Sequence, residues 1–526
     1  MADYSGQSDT EGRFPAAVRR IFNSINRPDN ADLPIELKRV HSTYEKREEQ
    51  IEINLLAVTG GSEYVHRRLT RFSGESNIDW RGGQRADGGK VEGRKQQSHC
   101  FPYAGRIINK ISQHVFSTAP TRDNCPANIL NDASADGSCL NDIMRQANDY
   151  VTACGWCWIG IDAPSVTEQI SEAQKVERKI RPYMQVYSPL SVVDWKFDSI
   201  GDLEWLITES EECESFSIGQ NEMKYELRRI WTKGMVRTVK IAENERGKKT
   251  VISDFETTIT YQGIPFILVG NISAGGYAFD DIESVNRSIM DLESVNRANF
   301  FKRCYPQLVI PVSCIENVSD AYGTTGAQAA ELIVGMNYPI LISKDDPAPF
   351  YLTPSASDMG ALRTELEKLK SNMFEAVGLM LQNESRQVAS AESKAWDYLD
   401  VAMVMRSRAA ILEDAENKAA KIMNRWDSSI PAWVSSYNRQ FDIGDFSQEM
   451  NALIMAVNTS MPDELYRLIL SKILDRLDRV GASVTSEQRK EIEDAILVFS
   501  PNSINMDFGG DIAAEEPTEE DLSATP

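Results

Sequence analysis

The chain has 526 residues, 42% of them apolar, and carries 56 Lys and Arg against 78 Asp and Glu, a formal net charge of −22. At about 100–200 residues per domain it is too long for one ordinary core and suggests roughly three domains or one elaborated one. So acidic a chain is not drawn as a whole to nucleic acid or to an anionic membrane, and any contact with DNA has to be local or deliberately non-adhesive.

The opening MADYSGQSDTEGRF lacks a basic start, an apolar run and a small-residue cleavage site. No stretch approaches the roughly 20 apolar residues that span a bilayer, so a soluble chain of cytoplasmic origin is expected. Its eight cysteines have few regular spacings, which suits free, mostly buried thiols in a reducing compartment. Residues 1 to about 75 are charged and read as helical, notably 37–54, where Glu interleaves with Lys and Arg as on a solvated face. The Gly-rich segment 81–95 (RGGQRADGGKVEGRK) then breaks the pattern as an exposed loop. Past it, Ile107, Ile108, Ile111 and Val115 predict a helix over 103–116, and 140–150 a second one.

From 156 to 269 the texture is that of strands: WCWIGID, YMQVY, SVVDWKFD, LEWLITE, YELRRIWT, MVRTVKIA, TTITYQG and PFILVG, most of them bounded by Gly, Pro, Asp or Asn. This is the β region of an α+β domain, antiparallel or mixed. The charged run 167–179 reads as an exposed helix or loop.

Asp280 and Asp281 can then cap a helix and favour its positive end. Ile282, Val285, Ile289 and Leu292 form one apolar stripe, and the helix stops before Pro306. An insert over 305–357 holds LVIPVS, a short helix around 327–334, YPILI and FYLTP. Ser357 or Asp358 caps the returning helix, whose stripe is Leu362, Leu366, Leu369, Met373, Ala376 and Met380. A polar break at 382–390 (QNESRQVAS) precedes a third helix, 391–426, roughly 50 Å long. Its stripe of Ala395, Tyr398, Ala402, Met405, Ala409, Leu412, Ala415, Ala419, Ile422 and Trp426 allows another element to approach closely. Ser460 to Asp463 starts a helix with Leu465, Leu468, Ile469 and Ile473, and Thr485 with Gln488 makes a capping box for the last one. The acidic end, 511–526, is a disordered tail.

Chemical motifs are sparse. Cys154 and Cys157 form the one CxxC, which invites a thiol-dependent oxidoreductase or a zinc site. Zinc lacks further ligands, and a redox CxxC would open a helix, whereas this one runs into a strand; the simpler reading is two buried thiols at a helix–strand junction. Arg81, Arg85, Lys90, Arg94 and Lys95 of the Gly-rich loop could touch phosphate, but no GxxxxGK[ST] is present and an exposed flexible loop is the simpler reading. DFG at 507–509 has no HRD loop and is a chance match. The four histidines build no HExxH, and there is no GxSxG or EF-hand loop. No cofactor or metal is therefore expected, and no enzyme. Arg386, in the polar break, stands out as a single residue, with an ordinary solvated loop charge as the simpler reading.

Helix, small insert, returning helix, polar break and long helix, in that order, resemble the portal (head-to-tail connector) proteins of tailed bacteriophages. The stretches that carry the resemblance are YAGRIINKISQHVFSTAP at 103–120, GWCWIGIDAP at 155–164, RPYMQVYSPLSVVDW at 181–195, IPFILVG at 264–270, YPQLVIP at 305–311 and MFEAVGLMLQNESRQVASAESKAW at 373–396. They are diffuse patterns in a fixed order, spanning most of 100–430.

The resemblance implies a portal-type fold: an α/β wing (1–279), stem helices 280–304 and 358–381, a clip (305–357) and a tunnel loop (382–390). It continues with a long wing helix (391–427), a helical crown (428–500) and an acidic tail (501–526). It implies a virion protein, assembled in the host cytoplasm into a homo-oligomeric ring, usually a dodecamer, at a capsid vertex. The ring would be the channel for double-stranded DNA in genome packaging and ejection. Terminase, tail or adaptor proteins and the major capsid protein are the implied partners, with no membrane. Asn383, Glu384, Ser385, Arg386 and Gln387 are the implied DNA-facing tunnel residues, and Glu365, Lys368 and Lys370 the implied stem channel residues. A thiol-dependent oxidoreductase at Cys154 and Cys157 is the alternative, and a helical scaffolding protein of the virion a third reading.

Overall fold

The computed structural model describes residues 34–73, 75, 77–84, 90–134, 136–163, 180–214, 223–243, 249–259, 261–273, 275–304, 307–309, 350–352, 356–375, 391–439, 463–479 and 486–498. The chain divides into two units, Met1–Phe441 and Asp442–Pro526.

The first unit begins with one helical turn, Ile35–Lys38, followed by helices α1 (Ser42–Thr59) and α2 (Gly61–Arg68). His41 caps α1 by accepting the Thr43 N–H at 3.1 Å, and Gly60, at φ +67°, turns the chain between the two helices. The Gly-rich segment is shorter as a loop than its composition suggests. Gly83–Gln84 and Lys90–Val91 pair antiparallel, and Arg94–Gln97 is a helical turn. Helices α3 (Tyr103–Val115) and α4 (Leu140–Cys154) then flank strand β1 (Thr121–Asp123).

Cys154 ends α4, Gly155 takes the left-handed C-cap conformation at φ +90°, and strand β2 (Trp156–Asp162) starts at once. A side chain at 155 would drive its Cβ to 2.2 Å from the Tyr277 ring, so glycine is required twice over. β2 is the middle strand of a three-stranded antiparallel sheet, between β3 (Tyr183–Tyr187) and a later strand. With helices packed on it, both its faces are buried, which is why WCWIGID is continuously apolar and does not alternate.

Next comes a five-stranded antiparallel meander: β4 (Val192–Phe197), β5 (Leu203–Glu214), β6 (Met223–Thr232), β7 (Met235–Glu243) and β8 (Lys249–Thr258). The last strand departs from expectation. TTITYQG predicts a strand at 257–263, yet β8 ends at Thr258. Pairing with β7, from Lys249 opposite Glu243 to Thr258 opposite Met235, fixes its position. As an edge strand exposed along most of its length it shows little alternation, so its own sequence marks it poorly. Strand β9 (Phe266–Gly270) returns to β2 and completes the small sheet.

Helix α5 (Ala278–Cys304) and helix α6 (Ala356–Glu375) pack on each other. They are joined at their far ends by the antiparallel strands β10 (Gln307–Val309) and β11 (Phe350–Leu352), so the predicted hairpin with a β-containing insert is present. The other elements read in the insert, and the run 167–179, lie outside the described residues. Helix α7 spans Ala391–Trp426, as the sequence predicts. Its Ala402, Met405, Ala409, Leu412, Ala415 and Ala419 are buried, and Trp426 stacks on Tyr261 with centroids 5.8 Å apart.

The residues after α7 were expected to open a helical region at 428. They instead form strand β12 (Val434–Ser436), which pairs with β1, and they belong to the first unit. Buried Trp433 and Tyr437 flank that strand, and a short segment whose alternate side chains reach a core is extended by necessity.

The second unit contains helices α8 (Asp463–Arg479) and α9 (Ser486–Val498). Among its described residues, Tyr466, Ile469 and Leu474 are buried, whereas Leu465 and Leu468 are exposed. The stripe expected through Leu465, Leu468, Ile469 and Ile473 is therefore buried at Ile469 but exposed at Leu465 and Leu468. The capping box at Thr485, DFG at 507–509 and the acidic tail lie outside the described residues.

Candidate functional site

Geometry singles out the hairpin of α5 and α6, because the way it is fastened differs from ordinary packing. Its inner face uses the expected apolar residues: Ile282, Ile289, Leu366 and Met373 are buried, with Val285, Leu292, Leu362 and Leu369 packed against them. Beside that stripe runs a second one, polar, at Asp280, Glu283, Arg287, Asp291, Ser294 and Arg297. Steps of three and four residues keep these six side chains along one ridge of the helix.

Each member of the ridge has a partner in the N-terminal helices or the segment after them. Asp280 accepts from Arg47 Nη1 at 2.7 Å and Nη2 at 3.0 Å, from Asn54 Nδ2 at 2.9 Å and from the Tyr277 N–H at 2.9 Å. Glu283 accepts from Arg68 Nε at 3.0 Å and Nη2 at 3.1 Å, and from the Tyr64 hydroxyl at 2.9 Å. Thr70 donates to Asp291 from its N–H at 2.8 Å and its hydroxyl at 2.7 Å, while Arg287 donates to the Thr70 hydroxyl at 2.9 Å. Arg94 donates to Ser294 at 2.7 Å, and Arg297 lies 2.5 Å from His99 Nδ1.

Charge-assisted, bidentate bonds of this kind fix angle as well as distance, so α5 cannot roll on the body without stranding buried charge. Burial works against the charged form of Asp280, but the bonds from Arg47 and Asn54 overcome it and hold its pKa below the ordinary carboxylate value. Burial raises the Tyr64 hydroxyl far above its usual range, with the Glu283 charge adding to the effect, so it stays a donor.

Among the predicted stem residues, Lys370 is taken up inside the molecule. Its ammonium lies 2.9 Å from Glu293 on α5 and 4.9 Å from the centre of the Tyr103 ring. Burial lowers its pKa, but the bonds to Glu293 and Tyr103 outweigh it, so the cation is held more firmly than a free lysine. Glu365 and Lys368 are exposed, with Arg363 and Glu367, on the outer side of α6. Asn383, Glu384, Ser385, Arg386 and Gln387 lie outside the described residues.

The Gly-rich loop supplies a correction. Arg94, weighed as a phosphate contact, is buried: Glu75 pairs with it at 2.7 Å, and its guanidinium lies 4.3 Å from the Phe72 ring centre and 4.9 Å from that of Trp80. It holds α5 in place and has no free face for phosphate. Arg81 is exposed.

A second anchor, which sequence reading did not find, secures α7. Glu416 is fully buried and accepts from Arg122 Nε at 2.6 Å and Nη2 at 3.1 Å, from Trp433 Nε1 at 3.2 Å and from the Tyr437 hydroxyl at 2.6 Å. One carboxylate thus joins the middle of α7 to β1 and to the residues on either side of β12.

Cys154 and Cys157 are both fully buried free thiols, and burial raises the pKa of each well above the usual value. A redox CxxC needs the reverse, an accessible and stabilised thiolate. Among the described residues no group of three or more His, Cys, Asp or Glu converges as a metal site, and no helix is long and apolar enough to cross a membrane.

No protein-family model and no curated protein sequence matches the chain. Three solved structures are similar over 74% of it at 10% identity and a TM-score of 0.34. They are the virion of a native gene transfer agent particle, the neck of the empty particle computed with C6 symmetry and the neck of the native particle computed with C12 symmetry. The match covers 89%, 90% and 89% of those chains respectively. A likeness at that level settles neither fold nor function.

Proposed function

We propose that this chain is the repeating subunit of a portal-type head-to-tail connector, a homo-oligomeric ring in the virion through which double-stranded DNA passes during packaging and ejection. The observation that carries the reading is the hairpin of α5 and α6, fastened to the body by a ridge of charge-assisted bonds while the outer side of α6 stays charged and exposed. The fastening runs along α5 from Asp280 to Arg297. A ring in which each hairpin supplies one stave of a channel wall requires it, because load along the axis must pass from hairpin to body without rotation.

In this reading the insert between the two helices docks the terminase, which hydrolyses ATP, and the chain itself is not an enzyme. Residues 382–390 meet the DNA, and other surfaces take tail, adaptor and capsid proteins. The net charge of −22 fits the role. Every phosphate that a protein neutralises adds affinity through counterion release, so DNA slides most readily through a wall with few cationic contacts. Size-exclusion chromatography with light scattering tests the proposal: a mass near twelve subunits supports it, and a stable monomer at micromolar concentration counts against it.

A further inference from the structure

Arg408 lies midway along α7, at the margin of the face that the helix packs on the body. To one side of it Met405, Ala409 and Leu412 are buried; to the other, Val404 and Ser407 are exposed, with Met403 beside them. The margin partly encloses the guanidinium, and desolvation there pushes its pKa down to about 10, with no carboxylate to offset the loss of water. Among the described residues nothing pairs with it, by hydrogen bond or by ion pair. Other cations of the helix are provided for. Arg406 donates to the Arg439 carbonyl at 3.0 Å, and Lys418 pairs with Asp414 at 2.6 Å.

A desolvated cation without an anion costs the fold free energy and returns nothing within the chain. Side chains that break a local rule in this way belong to functional positions, where the missing partner comes from outside. Two observations say what that partner is. The open flank of Arg408 is apolar, with Met403 58% and Val404 38% exposed, and Met and Arg are enriched together where protein surfaces meet. The chain itself carries 78 acids against 56 bases, so a second copy brings carboxylates in excess to an arginine that has none. The mount is rigid as well, because Glu416, two turns further along α7, is held by Arg122, Trp433 and Tyr437.

We propose that Arg408, with Met403 and Val404, forms the α7 side of the contact between neighbouring copies of this chain, and that a carboxylate of the second copy closes on its guanidinium. In a ring such a contact is heterologous, so the acid lies on a different patch of the neighbour from the one that carries Arg408. The inference rests on the homo-oligomeric part of the proposed function and adds to it the surface by which copies meet.

Light scattering over a dilution series of full-length protein tests it. Arg408→Met should raise the concentration at which half the subunits are assembled by at least about tenfold, and Arg408→Glu should raise it further. The unfolding temperature of the dissociated subunit should stay the same or rise in Arg408→Met, because the desolvated charge is gone; an arginine with a merely structural role would lower that temperature and leave the assembly midpoint alone. With p-benzoylphenylalanine replacing Met403, irradiation in the absence of DNA should give a covalent dimer on a denaturing gel, and Arg408→Glu should suppress it. Equal midpoints in the parent and both variants, or crosslinks within one chain only, would overturn this contact and leave the ring standing, whereas a parent that never assembles would remove both. Normal assembly with weakened DNA retention in Arg408→Met would assign the guanidinium to phosphate and equally overturn the proposal.

Discussion

Arg47 holds Asp280 with both terminal guanidinium nitrogens, one at 2.7 Å and the other at 3.0 Å, across 233 positions of sequence. The pair fixes the first turn of α5 against α1 and so helps to set how the hairpin lies on the body. Arg47→Met should destabilise the first unit by about 3 kcal/mol, the lower end for breaking a buried ion pair, because the carboxylate keeps some access to water. Hydrogen exchange should show the loss concentrated in 278–290; uniform loss across the unit would contradict the hairpin-base role.

The same pair has an acid signature. The folded pKa of Asp280 lies below that of the unfolded chain, so its contribution is fully present above about pH 4 and is lost as the pH falls through the folded value. Unfolding temperatures of the parent and of Asp280→Asn should differ by a steady gap from neutrality down to about pH 4, and the gap should close as the pH falls further, through the lowered folded pKa. A gap that does not change with pH would exclude the linkage.

Much of this arrangement was legible in the sequence, and the rest had a specific reason to be hidden. Stripes such as Ile282, Ile289, Leu366 and Met373 follow from local spacing, so the hairpin and α7 could be read directly. The polar ridge from Asp280 to Arg297 has the same periodicity, but its partners Arg47, Arg68 and Arg94 lie about 200 positions away or more, and no local pattern names them. Arg94 misled for that reason: in a Gly-rich stretch it looks free, and only the fold brings Glu75, Phe72 and Trp80 around it. Residues 428–439 misled in a related way, because β12 is extended only through its pairing with β1. The candidate tunnel residues 383–387 rest on sequence alone.

Glu416 and Arg122 should show strong coupling. In a double-mutant cycle with Glu416→Gln and Arg122→Met, the two losses should fall short of additivity by about 1–3 kcal/mol, since removing either partner already strands the other. Additive losses would mean that the buried pair does not act as a unit.

Gly155→Ala should destabilise by at least about 1–2 kcal/mol from backbone conformation alone, with the Tyr277 contact adding to it. In a Tyr277→Ala background the cost should shrink towards the backbone part. An equal cost in both backgrounds would show that the ring moves aside freely.

Thiol labelling separates the connector reading from thiol chemistry. In native protein at pH 8, exposed Cys213 should react, while Cys154 and Cys157 should react only after denaturation. Fast labelling of either CxxC thiol in the folded chain would revive the oxidoreductase.

Deleting Asn383 to Gln387 should leave ring assembly intact and impair packaging or retention of DNA. Unaltered packaging in the deletion would remove the tunnel role from this segment.

The most direct measurement is negative-stain electron microscopy of the purified full-length chain. Class averages should show a closed ring with a central hole wide enough for a DNA duplex, whereas solid particles, or single subunits at concentrations where connectors assemble, would contradict the account.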